Sequence, residues 1–475
     1  MNATVPREMI ENHTFDEIEI GDTAQLTRTL LAEDIQLFAA MSGDVNPTHV
    51  DAEYANSSQF HGLIAHGMWG AALISTVLGT EYPGPGAIYL SQNLRFLRPV
   101  HIGDTLDVRV TVSAKEVNTH QVVLACHCTN QHGDDVITGS AVVLAPAEKI
   151  RRPRLAPMQV RLSDRTRRYR QLLALTEGLA AIPVAVVHPC SEEALRGAIE
   201  AAEMGLIQPI LVGPEDKIRA VAAQAQIDLT GYRIAPAAHS HAAAALAVTM
   251  ARNGEVQALM KGSLHTDELM TEVVKTDGGL RTERRVSHIF VLDVPSYPKP
   301  LLISDAAINF EPDLDAKRDI VRNAIDLAHA LGIAQPLVAI LAAVETVNPR
   351  MRSTLDAAAL CKMAERGQIT GAILDGPLAF DNAISAQAAL DKGIISPMAG
   401  RADILIAPDL EAGNMMAKQL QYLADAQAAG LVMGARVPII LTSRADGAAA
   451  RVASCALALL VVASRSVSAV GKAIA

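Results

Sequence analysis

The chain has 475 residues and a net charge of −10 at pH 7; 50% of its residues are hydrophobic and 19% are charged. This length exceeds what one ordinary hydrophobic core serves, so two or three domains are expected. The composition excludes a disordered chain. The negative charge argues against a nucleic-acid-binding protein, which needs a basic face to neutralise phosphates.

The N-terminal residues include Glu8 and Glu11 and lack the apolar stretch of a signal peptide. The late apolar run at 455–463 is shorter than the roughly 20 residues of a membrane helix, so no membrane partner is expected. Five scattered cysteines are typical of reduced thiols, which predicts a cytoplasmic protein. Cys126 and Cys128 share one face of a predicted strand, and we interpret them as packing residues rather than metal ligands.

The first chemical motif is a turn at residues 42–49, Ser-Gly-Asp-Val-Asn-Pro-Thr-His. Gly43 and Pro47 oppose a regular helix, so the turn can aim the Asp44 carboxylate and the His49 imidazole at one point. An acid and a base so placed can add water across a double bond. The alternative for two such residues on their own is an Asx turn with an exposed histidine.

An apolar helix is predicted from about His66 to Leu78, and strand-like runs follow it at 106–112, 117–128 and 136–144. The unpaired amides at the start of this helix, near Gly67, can hold a developing oxyanion. A long helix followed by consecutive antiparallel strands predicts a sheet wrapped around the helix.

The stretch from Arg151 to Arg170 holds eight arginines together with Pro153 and Pro157. Charges and prolines resist burial, so we interpret residues 151–170 as a linker. The alternative is a basic arm that binds the phosphates of coenzyme A.

After the linker, short apolar strands alternate with helices, from Val184–Val187 through Ile404–Ala407. This alternation predicts mainly parallel sheets covered on both faces. The segment 171–475 is long for one such sheet, so two lobes with a cleft between them are expected. Loops rich in small and polar residues follow several of these strands, which suits phosphate binding.

The N-terminal motifs together resemble the MaoC-like, R-specific enoyl-CoA hydratase family. They are Ser-Gly-Asp-x-Asn-Pro-x-His, Ile-Ala-His-Gly-Met at 64–68, Phe-Leu-Arg-Pro-Val at 96–100 and Gly103-Asp104. The resemblance implies a hot-dog fold over residues 1–150, with Asp44 and His49 as the catalytic pair and the Gly67 amide as oxyanion donor. It also implies a homo-oligomer of at least two chains, because these domains build the site between two hot-dog units. We prefer His49 as the group that activates water, and His66 as a residue that orients the loop.

The loops after residue 171 resemble phosphate acetyl/butyryltransferases. The matching strings are Lys-Gly-Ser-Leu-His-Thr-Asp at 261–267, Gly-Leu-Arg-Thr at 279–282, Ser-Asp-Ala-Ala-Ile-Asn at 304–309, Val-Glu-Thr-Val-Asn-Pro at 344–349, Asp-Gly-Pro at 375–377, Pro-Asp-Leu-Glu-Ala-Gly-Asn at 408–414 and Thr-Ser-Arg-Ala-Asp at 442–446. The resemblance implies a two-lobed α/β domain that transfers an acyl group between coenzyme A and inorganic phosphate, and no bound cofactor.

Within this resemblance, Arg444 is the first choice for binding phosphate, because a guanidinium fork matches phosphate oxygens. Ser443 would hydrogen-bond the CoA sulfur or the oxyanion. The further substrate-binding candidates are Lys261, His265, Arg281, Glu411, Asn414 and Asp446.

One departure concerns the general base. Acetyl-type members carry an aspartate about seven residues after the motif serine, where this chain has Ala448-Ala449-Ala450. Asp446 and His265 are the candidates for that base, and the wording Thr-Ser-Arg-Ala-Asp favours the butyryl branch.

The sequence thus predicts a bifunctional acyl-CoA enzyme with small-molecule partners and no metal. One alternative is a transferase whose hot-dog domain only binds acyl-CoA or drives dimerisation. A second is a metal-dependent decarboxylating dehydrogenase, for which neither an aspartate cluster nor a nicotinamide site is seen.

Overall fold

The computed structural model describes residues 8–155, 160, 167–442 and 446–474. The chain forms two compact units, Met1–Ser163 and Asp164–Ala475. In the stretch predicted as a linker, Arg151–Pro153 forms a short strand that pairs antiparallel with Met9–Glu11. The boundaries 1–150, 151–170 and 171–475 stay a prediction.

The first unit contains two sheets, four α-helices and two short helical turns of other types within the described residues. Its strands are β1 (Met9–Glu11), β2 (Thr23–Thr29), β3 (Ile88–Phe96), β4 (Thr105–Glu116), β5 (Gln121–Thr129), β6 (Asp135–Leu144) and β7 (Arg151–Pro153). Its α-helices are α1 (Ala32–Ser42), α2 (Pro47–Val50), α3 (Ala52–Ser57) and α4 (Gly67–Thr76), with a 3-10 turn at Phe15–Glu17 and a π-helical turn at Val77–Glu81.

The larger sheet of this unit is antiparallel, in the order β2-β4-β5-β6-β3, and packs against helix α4. The core between them is apolar and includes Trp69, Ile74, Leu106 and Ile137. Gly70 permits this packing, because a Cβ there would lie 2.4 Å from the Cδ1 atom of Ile137. The predicted hot-dog fold, a sheet wrapped around one helix, is confirmed.

The described residues of the second unit form eleven strands in one sheet. They are β8 (Ile182–Val187), β9 (Ile207–Gly213), β10 (Arg233–Pro236), β11 (Ala258–Lys261), β12 (Ser287–Asp293), β13 (Leu301–Ser304), β14 (Leu337–Leu341), β15 (Ile373–Leu378), β16 (Ile404–Ile406), β17 (Gln427–Met433) and β18 (Ile439–Ile440).

Eleven α-helices accompany these strands in the described part of the unit. They are α5 (Arg167–Ala174), α6 (Glu192–Glu203), α7 (Glu215–Gln224), α8 (Ser240–Arg252), α9 (Thr266–Val273), α10 (Leu314–Ala330), α11 (Arg352–Glu365), α12 (Phe380–Ile384), α13 (Ala386–Asp391), α14 (Leu410–Leu423) and α15 (Ala448–Ile474).

The sheet contains two parallel blocks that run in opposite directions. Strands β10-β9-β8-β11-β18 form the first block and β13-β16-β14-β15 form the second. Strand β17 is antiparallel to both β18 and β12, and β12 is antiparallel to β13. The strand direction therefore reverses at β17, again at β12 and a third time at β13. As a result, the carboxyl ends of the two blocks lie at opposite edges of the sheet. The two-lobed, mainly parallel α/β fold is confirmed.

Helix α15 is both long and apolar. Its segment Ala448–Ser466 passes a length and hydropathy test for a membrane span, yet 61% of the tested window is buried inside the protein. Cys455, Leu457 and Leu459 lie in the main core of the second unit. The predicted burial of the run at 455–463 is therefore confirmed for these residues, and a core helix explains its composition.

Candidate active sites

The Asp44 turn of the first unit begins where helix α1 ends. Gly43 terminates the helix in the left-handed region, at a φ of 75°. The Asp44 carboxylate then accepts a hydrogen bond from the Asn46 amide at 3.2 Å, and Asn46 caps the short helix that carries His49. One carboxylate oxygen of Asp44, one ring nitrogen of His49 and one of His66 lie within 4.8 Å of one another. The turn therefore brings the predicted pair together.

The hydrogen bonds of His49 define which of its nitrogens is available. Its Nδ1 lies 2.9 Å from the carbonyl oxygen of Ile64. A carbonyl only accepts, so Nδ1 carries the proton in neutral His49 and Nε2 presents a lone pair. The backbone therefore fixes the orientation of the His49 ring.

His66 has a different role from His49. It is buried, and its Nε2 donates to the backbone carbonyl of Asp44 at 2.9 Å. Its ring stacks on His49 with the centroids 3.9 Å apart and on Phe38 at 4.8 Å. These contacts tie helix α4 to the Asp44 turn.

A cavity of about 340 Å³ opens beside these residues. His49, His66 and Gly67 line it at one end, and Phe96 and Trp69 contribute apolar walls. Gly67 is the first residue of α4, where helical amides lack partners within the helix. A Cβ on Gly67 would lie 3.2 Å from the Phe96 ring, so glycine keeps this approach open.

The second candidate site is a cavity of about 390 Å³ in the second unit. Its lining comes from both parallel blocks: Lys261 ends a strand and Thr442 follows a strand of the first, and Ala307 and Asn414 follow strands of the second. Strand β12, which lies between the two blocks, contributes His288 and Phe290 to the same lining. Of the predicted substrate-binding residues, this cavity brings together Lys261, His265 and Asn414.

Other predicted residues do not line this cavity. Arg281 is exposed, with Thr276 as a hydrogen-bond partner at 3.5 Å, and Glu411 lies exposed in the first turn of α14. Asp446 is partly buried near the start of α15. Ser443 and Arg444 lie outside the described residues. Thr442 immediately precedes them and lines the cavity.

Asp305, in the motif at 304–309, has a structural role that the motif did not predict. The buried Asp305 carboxylate accepts hydrogen bonds from the amides of Ala307, Ile308 and Asn309 at 2.9 to 3.1 Å, and from the side chain of Asn309 at 2.5 Å. It also accepts from the amide of His288 at 3.3 Å. Asp305 therefore shapes the loop that reaches the cavity.

His288 was also missed from the sequence. It lies in strand β12, is fully buried and lines the second cavity. Burial lowers its pKa, while the nearby Asp305 carboxylate opposes this shift. The available signal was a histidine within an otherwise apolar strand run, which by itself more often indicates a core residue.

The two cysteines of strand β5 are buried in the core of the first unit. Cys126 and Cys128 lie buried on β5, and burial raises the pKa of their thiols to about 11 and about 12. Both side chains belong to the apolar core of the first unit.

Comparison with known proteins divides the chain in the same way. Residues 237–459 match the family model described as phosphate acetyl/butaryl transferase, and residues 17–129 match that of a MaoC like domain. A phosphate acetyltransferase of Rhizobium meliloti is 61% identical over 308 residues, which cover 65% of this chain and 98% of the relative. A phosphate butyryltransferase of Clostridium beijerinckii is 41% identical over 298 residues, covering 63% of this chain and 99% of the relative.

A solved structure gives the same result for the fold. The branched-chain phosphotransacylase of Enterococcus faecalis is 28% identical and superposes with a TM-score of 0.53, covering 59% of this chain and 99% of that one. The chain therefore belongs to the phosphate acetyl/butyryltransferase family of acyltransferases, and it carries a MaoC-like domain ahead of the transferase domain.

Proposed function

We propose that this acyltransferase is bifunctional. The first unit would hydrate a trans-2-enoyl-CoA to an (R)-3-hydroxyacyl-CoA, and the second would exchange a short acyl group between coenzyme A and inorganic phosphate. Both reactions use coenzyme A thioesters as substrates, and neither requires a resident cofactor or metal. The observation that carries the first activity is the fixed tautomer of His49 beside Asp44.

In the proposed hydration, Nε2 of His49 takes a proton from water as the oxygen bonds to C3 of the enoyl chain. The electrons of the double bond move toward the thioester oxygen, which receives a hydrogen bond from the amide of Gly67. The proton taken up by His49 passes to the Asp44 carboxylate and from there to C2, which returns both side chains to their starting protonation. The apolar cavity beside Trp69 and Phe96 would receive the acyl chain.

Asp44→Asn tests the hydratase activity, because the amide cannot deliver a proton. Crotonyl-CoA hydration is expected to fall about 10²- to 10⁴-fold, while phosphate-dependent CoA release from butyryl-CoA is retained. Glu53→Gln, at an exposed position on helix α3, is the matched control. Equal hydration rates in the wild type and Asp44→Asn would leave the first unit as a binding or dimerisation module.

The proposed acyl transfer depends on cations around the second cavity. Lys261, at the end of β11, and Lys418, on α14, both line it, and Thr442 leads into Ser443 and Arg444. We propose that Arg444 and Lys261 bind phosphate and that Ser443 hydrogen-bonds the CoA sulfur or the oxyanion. The phosphate oxygen attacks the thioester carbonyl, the carbon–sulfur bond breaks, and the sulfur leaves as the thiol with the proton from phosphate.

A CoA-release assay with phosphate and a series of acyl-CoAs tests this activity. CoA release is expected with one or more substrates between acetyl- and hexanoyl-CoA, and Arg444→Gln is expected to raise the KM for phosphate. No release across the whole series would exclude the proposed transfer. The same series decides between acetyl and butyryl substrates, the two acyl groups in the names of the relatives.

We also propose that the first unit works as a homodimer. Strand β3 is an edge strand of the five-stranded sheet, and Ile88, Leu90 and Phe96 on it are 55%, 47% and 51% exposed. An exposed apolar edge favours pairing with another chain. The double variant Ile88→Lys with Leu90→Lys is expected to be monomeric and to hydrate crotonyl-CoA slowly. Analytical ultracentrifugation of the full-length protein measures its assembly, and the crotonyl-CoA assay measures its activity. Unchanged assembly and activity would contradict an interface at β3.

A further inference from the structure

The starting point is the hydrogen bonding of His288 at the wall of the second cavity. Its Nε2 lies 3.3 Å from the carbonyl oxygen of Leu441, so Nε2 carries the proton and Nδ1 a lone pair. That Nδ1 atom is buried and has no hydrogen-bond partner among the residues that the structure describes. Buried acceptors in native proteins are nearly always paired, so an unpaired one in a ligand cavity indicates a missing donor.

The chemistry of the cavity restricts what that donor is. Lys261 and Lys418 supply positive charge for phosphate, whereas Phe290 and Leu441 beside His288 are apolar. The thioester carbonyl is an acceptor only, and the proton of phosphate goes to the CoA sulfur in the proposed transfer, so neither group supplies a donor for an unprotonated Nδ1. A neutral hydroxyl on an otherwise apolar acyl chain matches both the acceptor and the surrounding hydrocarbon.

The first unit, by its proposed reaction, produces such a chain. Hydration places a hydroxyl on C3 of the acyl group while leaving the coenzyme A thioester intact. The product is therefore an acyl-CoA, the substrate class of the second unit, and it carries a donor that butyryl-CoA lacks.

We propose that the second unit selects 3-hydroxyacyl-CoA, with Nδ1 of His288 accepting the hydrogen bond of the substrate's 3-hydroxyl group. This inference rests on the proposed function of both units. The chain would then convert an enoyl-CoA, water and phosphate to a 3-hydroxyacyl phosphate and free coenzyme A. Water adds across the double bond in the first step; in the second, phosphate replaces the CoA sulfur, and its proton leaves with the thiol.

The full-length wild-type protein gives the first test. CoA release with phosphate is measured for (R)-3-hydroxybutyryl-CoA and butyryl-CoA, which differ only by the hydroxyl. A site with a buried acceptor discriminates against the analogue that leaves it unpaired. The kcat/KM for the hydroxylated substrate is expected to be at least about tenfold higher. A ratio of one or below overturns the inference, whereas absence of CoA release from every acyl-CoA would instead overturn the transferase activity itself.

His288→Phe provides the second test, because it keeps a planar ring without the acceptor. The ratio of the two kcat/KM values is expected to fall toward one. The matched control is Phe290→Leu, which alters the same wall without a polar group and is expected to preserve the ratio. If His288→Phe slows both substrates by the same factor, the residue acts on the transfer step or on folding, and the specificity role is wrong.

Discussion

The guanidinium group of Arg451 donates a hydrogen bond from Nη1 to the hydroxyl of Thr442 at 2.7 Å. Both residues are buried, and Thr442 lines the transferase cavity directly before the Ser443-Arg444 motif. Helix α15 is therefore linked to the loop that carries the candidate phosphate-binding residues. Gly197 on α6 makes room for the Arg451 side chain, since a Cβ there would lie 2.6 Å from its Cδ atom.

Gly197→Ala should disturb the transferase site without altering any chemical group in it. The new methyl group must displace Arg451 at a cost of about 1–3 kcal/mol, and the Thr442 loop is expected to shift with it. CoA release should fall about tenfold or more, while crotonyl-CoA hydration in the first unit is unchanged. Glu203→Ala, an exposed change on the same helix, is the control; equal activity in Gly197→Ala and wild type would show that Arg451 does not hold the loop.

His66→Ala removes the hydrogen bond to the Asp44 carbonyl, and we expect the hydration rate to fall about 10- to 100-fold because the turn is misplaced. His66→Gln keeps an N–H donor and should recover part of the lost kcat. His61→Asn is a nearby control at an exposed position. If glutamine and alanine behave alike, His66 acts through something other than this bond.

Gly70→Ala is expected to destabilise the first unit by about 1–3 kcal/mol. The added Cβ would lie 2.4 Å from Cδ1 of Ile137 in a closely packed core. Adding Ile137→Val removes that Cδ1 atom, so the double variant should regain much of the loss. Urea unfolding of the first unit measures both, with Gly79→Ala as control because a Cβ there meets nothing within 4 Å. A double variant no more stable than Gly70→Ala would contradict this contact.

The buried His288 makes stability depend on pH. Burial lowers its pKa in the folded protein, so below about pH 6.5 the unfolded chain binds a proton that the folded chain excludes. The free energy of unfolding is therefore expected to be higher at pH 7.5 than at pH 5.5. His188, whose pKa burial also lowers, adds to the same trend.

His288→Phe should reduce the difference in the free energy of unfolding between pH 7.5 and pH 5.5. Urea unfolding of the second unit at the two pH values measures this difference. His132→Gln, an exposed change in the other unit, should leave the slope as it is. A slope that is unchanged in His288→Phe would assign the pH dependence to other groups.

Local sequence patterns predicted many of the helices and strands. The apolar helix after His66, the strands that follow it and the alternation beyond residue 180 all appear within a few residues of their predicted bounds. These features depend on periodicity along the chain, which a sequence displays directly. Asp44 and His49 meet because a single short turn joins them, so spacing was enough.

Long-range pairing could not be predicted in the same way. Nothing in the local pattern of β12 or β17 indicates that both run beside antiparallel neighbours and join two opposed parallel blocks. That arrangement decides which loops share the transferase cavity. It brings Lys261, His265 and Asn414 into the lining of one cavity and leaves Arg281 and Glu411 outside it.

The sequence by itself therefore determined the family, the two fold classes and the proximity of Asp44 and His49 in the first unit, because each depends on residues close together in the chain. Only the tertiary structure decided the tautomer of His49, the unpaired Nδ1 of His288 and the Arg451–Thr442 bond. Each of these depends on a partner that is far away in sequence, or on the absence of one among the described residues. The distance between such partners is set by how whole strands and helices pack.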